Sequence, residues 1–278
     1  MTSGKTDAAD AEAICAAVTR PTMRLVTVRT AERQAALPDH GARDVLVRQR
    51  SQTVNAIRAH MGAFGIVVAK GIHNPDRLIE AAQEMPEAAR PARVLLAGRL
   101  RDLEERIEEA TMRITAARKI DPIARRLATI PGLGPIASSA FAATPPDVGA
   151  FRSARNCAAW PGPTPRAHSS GGRERLGRIS KPGSRYLRRR LSLGAMARIG
   201  ARRGRRAAPA GQTPGWLDRM LARKPAKVVA VAPAAPRARI VWALIARGAS
   251  YRATPGRETK RSPAVPYPAV PYPAAPRW

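Results

Sequence analysis

Between Phe151 and Arg206 the chain carries sixteen Arg or Lys residues against one acid, Glu174. Like charges at that density repel one another in a compact state, so whatever this segment folds into must present its cations outward or to a polyanion. A basic helix alone is often a solvated face. Here the excess is too one-sided for that, and neutralising phosphate is its natural use. The whole chain repeats the imbalance, with a formal net charge of +29 over 278 residues, and it calls for a nucleic acid or an acidic membrane face. That length suits two small domains, or one with helical extensions. The hydrophobic share of 44% is enough for a core, but with 4% aromatics and 26 prolines part of the chain is not expected to pack.

Cys15 and Cys157 stand far apart and form no CxxC or Cys/His cluster. No zinc site or disulfide framework follows from them, and they fit a reducing cytoplasm. No run approaches the roughly 18 apolar residues of a membrane span. The start, Met1-Thr-Ser-Gly-Lys5, has no apolar signal core. A soluble cytoplasmic protein without a membrane partner is expected.

Along the chain, residues 6 to 18 predict a short helix capped by Thr6 or Asp7, and Met23 to Thr30 (MRLVTVRT) a strand. A helix is expected from Arg43 to Phe64, with Leu46, Thr53, Ile57, Met61 and Phe64 near one face. Gly65 and the GIHNP segment at Gly71 end it. The best-patterned helix carries Leu96, Leu100, Leu103, Ile107, Ala110 and Ile114, alternating spacings of four and three. This is the seam of a coiled coil or helical hairpin; it reads either as an ordinary packing stripe or as a dimerisation arm. A second unit begins near Asp121, Ala207 to Pro214 is a linker, and Pro233 and Pro236 interrupt the helical pattern of Trp216 to Tyr251. The repeat PAVPYPAVPYPAAP beyond Thr254 reads as extended or disordered.

Three constellations bear on chemistry. In Leu127-Ala-Thr-Ile-Pro-Gly-Leu-Gly-Pro-Ile-Ala137, apolar Leu127, Ile130, Leu133 and Ile136 would seat two short helices around Gly132 and Gly134. Glycines there let the backbone approach a phosphate that the next helix's first N–H groups can bind, as in a helix-hairpin-helix motif. An ordinary helix–turn–helix corner is the plain alternative. In the basic segment, Ser169-Ser170-Gly171-Gly172 sits among Arg166, Arg173, Arg175, Arg178, Lys181 and Arg185. A serine there could act as a nucleophile once cations stabilise the charge it creates, although most loop serines are simply surface residues. Asp7 and Asp10, three apart on a helix, put two carboxylates on one face, either for a divalent cation or as ordinary N-terminal acids.

Taken together, IPGLGPI, the block FRSARNCAAWPGPTPRAHSSGGRERLGRISKPGSRYLRR and the start KTDAADAEAI resemble transposases of the insertion-sequence-110 family (the 116/110/902 and 1111 types) over about Lys5 to Tyr251. The resemblance implies a mainly α chain: a RuvC-like remnant of an α/β domain at 1–40, a helical and coiled-coil segment at 41–120, and a serine-bearing transposase domain at 121–206. A helical extension at 207–251 and a disordered proline-rich tail at 252–278 follow. It implies DNA cleavage and joining with Ser170 as nucleophile, Ser169 being the second choice. Asp7 and Asp10 would be the last two acids of a DEDD set holding magnesium, and DNA, a bridge RNA and further copies of the chain would be partners. Family members carry the first two acids upstream of the paired aspartates. This chain starts almost at the pair, so the expectation is a chain inactive alone, or a remnant that only binds DNA. Pro38-Asp39 and Pro233 to Pro236 stand where the family pattern leads one to expect continuous helix.

Overall fold

In a computed structural model, the structure describes residues 6–20, 28–68, 75–145, 148–149, 151–168, 175–204 and 215–252. Helix α1 (Asp7–Thr19) starts as its sequence suggests, with the Thr6 hydroxyl accepting from the Ala9 N–H at 3.3 Å. It buries no residue. The expected strand over Met23 to Thr30 lies mostly outside the described residues; Val28 to Thr30 have no strand pairing, and Thr30 instead caps α2 (Ala31–Ala35).

Helix α3 (Leu37–Ala63) begins six residues earlier than its apolar pattern indicates. Pro38 does not interrupt it: the proline sits in the first turn, where its missing N–H would have had no partner anyway. The inward face carries Val54, Ile57 and Met61, while Leu46 and Thr53 are half-buried and Phe64, past the helix end, is exposed. After α4 (Pro75–Ala81) and two 3-10 turns comes α5 (Arg90–Ile120). Its seam packs as spaced: Leu100, Leu103, Ile107, Ala110 and Ile114 are all buried, with Leu96 half-buried and Ala97 taking the inner place beside it. That stripe lies against α3 of the same chain, so the two form a helical hairpin. The lower part of this hairpin, with Leu78, Ile79 and Met85, makes one apolar cluster.

Asp121 starts the next unit by accepting from the N–H groups of Ile123 (2.7 Å) and Ala124 (3.2 Å) at the head of α6 (Pro122–Leu127). Helix α7 (Pro135–Ala143) follows and is buried from Ala137 to Ala143, the centre of the main core. Around it pack α8 (Ala154–Ala159), α9 (Arg185–Gly204) and α12 (Ala234–Arg247) through Ala158, Leu187, Leu191, Ala238 and Val241. Between α8 and α9 runs an antiparallel hairpin of β1 (Pro165–Ala167) and β2 (Leu176–Ile179). Helices α10 (Trp216–Arg223) and α11 (Ala226–Val231) cover Ala195 and Ile199 at the far end of α9. The described chain is thus mainly helical.

The C-terminal prolines act as expected in one respect: α11 stops before Pro233 and α12 begins after it, whereas Pro236 is absorbed in the first turn of α12. One expectation needs correcting. Ala226–Arg247 is long and apolar enough, by length and composition, to cross a membrane. In the fold it is split at Pro233, and Val229, Ala230, Ala234, Ala238 and Val241 are packed in the core, which accounts for its apolar character.

Candidate nucleic-acid interface

The hairpin β1–β2 is fixed at its base by short backbone bonds. Ser180 N–H donates to Thr164 O at 2.8 Å and Lys181 N–H to Gly162 O at 3.1 Å. Lys181 adopts φ 59°, a left-handed conformation costly for a residue with a side chain, and so is held there by its surroundings. Arg188, from the first turn of α9, closes this base by donating to Pro161 O at 2.8 Å and Pro182 O at 3.2 Å.

On the hairpin, Pro165 pairs with Ile179 and Ala167 with Leu176, with an irregularity in register between them. Arg166 therefore faces the Gly177-Arg178 step of the other strand. Arg166, Arg178 and Lys181 line one open groove of about 690 Å3, together with His168, Ile179, Ser180 and Pro182. Among the described residues no carboxylate lines it. Guanidinium groups facing each other across a ladder destabilise it unless an anion lies between them. Arg166 is steadied by donating to Ser180 O at 3.2 Å. The His168 imidazole lies over Gly177, where any side chain would collide with it. The Ser180 hydroxyl is buried without a hydrogen-bond partner beneath this lining.

Of the other sequence candidates, Arg175 is exposed at the hairpin and its carbonyl accepts from His168 N–H at 2.8 Å. Arg185 is exposed as the first residue of α9. Ser169, Ser170 and Arg173 lie outside the described residues, in the segment that joins β1 to β2 in the chain.

The turn between α6 and α7 separates its two glycines. Gly132, at φ 88°, needs to be glycine for internal reasons: a side chain there would meet Gly194 O and the Arg237 guanidinium. Gly134 stands in open space in front of α7, which has no side-chain cap. The first position of α7 is Pro135, which has no N–H to offer, so the helix start opens behind Gly134 without a side-chain cap. Asp7 and Asp10 are both exposed in the first turn of α1. Among the described residues no three His, Cys, Asp or Glu side chains gather where they could hold a metal. The pair by itself therefore falls short of the oxygen set magnesium requires.

Two polar clusters escaped the sequence reading. His40 of α3, 4% exposed, has Nδ1 3.0 Å from the Tyr186 hydroxyl and Nε2 3.1 Å from the Ser139 hydroxyl, tying α3 to α9 and α7. Burial, aided by the charges of Arg190 and Arg43 against that of Asp39, lowers its pKa to about 4. Beside it, Arg189 and Arg190 both pair with Asp44 of α3, and Arg190 lies 4.6 Å over the Tyr186 ring. The second cluster is Arg237 of α12, 5% exposed, donating to Leu191 O at 3.3 Å. Burial, then the charge of Arg198, lowers its pKa to about 10. Cys157 is buried too, which raises its thiol to about 12, while Cys15 is exposed.

The feature that stands out in this mainly helical protein is a cationic groove on a small hairpin, with no carboxylate among its described lining residues. Comparison with known proteins narrows this. Residues 124–209 match the family described as "Transposase IS116/IS110/IS902 family". The chain is 43% identical over 256 residues to the "Putative transposase y4pF/y4sB" of Sinorhizobium fredii, an alignment covering 91% of this chain and 65% of that protein. It is 42% identical to the "Probable family 20 transposase" of Pseudomonas aeruginosa, covering 89% of this chain and 74% of that protein. To the transposase for insertion sequence element IS1328 of Yersinia enterocolitica it is 38% identical, covering 88% and 73%. The chain belongs to the IS116/IS110/IS902 transposase family, and it spans about two thirds to three quarters of the length of these relatives.

Proposed function

We propose that this chain binds the DNA of an insertion sequence through the hairpin groove and carries there the serine that cuts and joins strands. The observation that supports this reading best is the lining of Arg166, Arg178 and Lys181, with no carboxylate among the described residues, on and just after two strands that bracket residues 169–174 in the chain. A phosphodiester between the two guanidiniums relieves their repulsion and brings the backbone to the segment containing Ser170. Ser170 attacks phosphorus, its hydroxyl proton leaves to solvent or a base, and the strand's leaving oxygen departs. The strand is then held as a phosphoserine ester until a second strand end displaces the serine. The cations bear the extra negative charge of the transition state.

In the same reading, the turn before α7 is a helix-hairpin-helix-like contact in which Gly134 and the uncapped helix start meet a second phosphate. Residues 1–40 are part of a RuvC-like domain. Asp7 and Asp10 offer magnesium one pair of carboxylates, and since the described residues add no third donor, no step is assigned to the metal. A bridge RNA and further copies of the chain complete the set of partners. The second reading is DNA binding without strand chemistry, for which the groove alone suffices.

Both readings are separated by one experiment. The full chain is incubated with insertion-sequence-end DNA and magnesium, denatured, and assayed for a covalent protein–DNA adduct. An adduct abolished by Ser170→Ala supports the serine chemistry. An adduct that persists in Ser170→Ala refutes that nucleophile, and no adduct with retained binding supports the second reading.

A further inference from the structure

A second open groove, of about 390 Å3, lies between α6 and the residues that follow α12, lined by Pro122, Arg125, Arg126, Thr129 and Ser250. Among the described residues no carboxylate lines it, and Asp121 next to it is engaged as the cap of α6. Its walls are tied together. Thr129 accepts from Tyr251 N–H at 3.0 Å and donates to Arg126 O at 2.7 Å, which stitches the chain after α12 to the end of α6. Arg126 is held in place by donating from Nε to Pro122 O at 3.2 Å. Gly248, which ends α12, leaves the room beside the Arg126 guanidinium that a side chain would crowd. Arg125 next to it is exposed.

Two neighbouring cations in a preformed groove without acids suit a phosphate chain, because little side-chain freedom remains to be lost on binding. We propose that this groove is a second backbone site for duplex DNA, gripping phosphates through Arg125, Arg126 and the Ser250 hydroxyl. The proposal rests on the reading of the chain as a DNA binder, and duplex DNA is chosen over RNA because DNA is what a transposase moves.

The test is binding of the full chain to a labelled DNA duplex and, separately, to an RNA hairpin of equal length, across 50 to 200 mM salt (about this range, where phosphate contacts dominate). Arg125→Gln, exposed and therefore safe for the fold, should weaken duplex binding about threefold and lower the log–log salt slope by about 0.9, the value for one lost phosphate contact. Adding Arg126→Gln should roughly double the change in slope. An unchanged slope in both variants, with native thermal unfolding, overturns the proposal. So does a loss confined to the RNA. Arg178→Gln/Lys181→Gln is measured alongside. If it alone weakens binding, this groove fails and the hairpin reading stands; if only the α6 variants weaken binding, the groove stands and the hairpin reading fails. If neither weakens it, both fail.

Discussion

Two groups of cations within the same basic segment have opposite fates. On α9, Arg188 donates to the carbonyls of Pro161 and Pro182, Arg189 and Arg190 pair with Asp44, and Arg190 also covers Tyr186. On the hairpin, Arg166, Arg178 and Lys181 line an open groove with no carboxylate. The first group is turned inward and holds the serine-segment unit to the α3–α5 hairpin. The second is left for a ligand. The inward group is the denser of the two, three consecutive arginines against three cations spread over residues 166–181, so density alone does not identify a binding surface. What distinguishes Arg189 and Arg190 from Arg178 and Lys181 is whether the described fold supplies a carboxylate.

The largest expected effect breaks the inward group. Asp44→Asn leaves Arg189 and Arg190, both partly buried, without their carboxylate. Breaking one side of a desolvated pair is costly, and after allowance for the partial exposure of these groups about 2–3 kcal/mol of stability should be lost. Urea unfolding monitored by circular dichroism measures it. A loss under about 0.5 kcal/mol would place these arginines with ordinary surface charges and erase the contrast.

Next in size is a pH effect at the same junction. His40 is held well below its ordinary value of 6.5, at about 4, because its ring is buried beside Arg190 and Arg43. The folded state therefore resists a proton that the unfolded chain accepts. The contribution of His40 is complete above pH 6.5 and is lost as pH falls toward 4. The loss should amount to about 2 kcal/mol once solvent screening is allowed for. A His40→Gln variant, which can still donate to and accept from hydroxyl groups, should lose less between those limits. Parallel curves of unfolding midpoint against pH for the two proteins would refute the assignment.

What could be read beforehand follows the same division. Local order was legible: the α5 stripe, the Thr6 cap and the break at Pro233 depend on neighbours a few residues away. The cations of the hairpin groove were legible because three glycines and few acids surround them in the chain. The inward turn of Arg189 and Arg190 was not, because their acceptor Asp44 lies on α3, and the His40–Tyr186 bond joins residues 146 apart. Nothing near His40 in HGARD marks it as buried. Gly132 was singled out for phosphate approach, yet its nearest constraint is Gly194 on α9, a contact no local pattern encodes. The apolar Ala226–Arg247 segment was passed over because Pro233 and its arginines divide it, while its burial depends on α8 and α9. The serine segment, recognised by motif, stands on the sequence alone, since residues 169–174 lie outside the described structure.

The smallest expected change in stability belongs to the hairpin, and it sharpens the contrast most. Arg178 and Lys181 are exposed and form no ion pair among the described residues. Arg178→Gln/Lys181→Gln should therefore shift unfolding by less than about 0.5 kcal/mol. The substitution also removes like charge near Arg166, and like charges opposite one another oppose pairing of the strands. Duplex affinity should nevertheless fall about tenfold near 0.1 M salt, and the log–log salt slope should fall by about two, one per phosphate contact removed. A variant that unfolds as easily as Asp44→Asn would show that the hairpin cations are structural. One that keeps both stability and salt slope would show that the groove, for all its charge, meets no backbone. Only unchanged stability with a reduced slope fits a pair of cations that the fold positions and does not itself use.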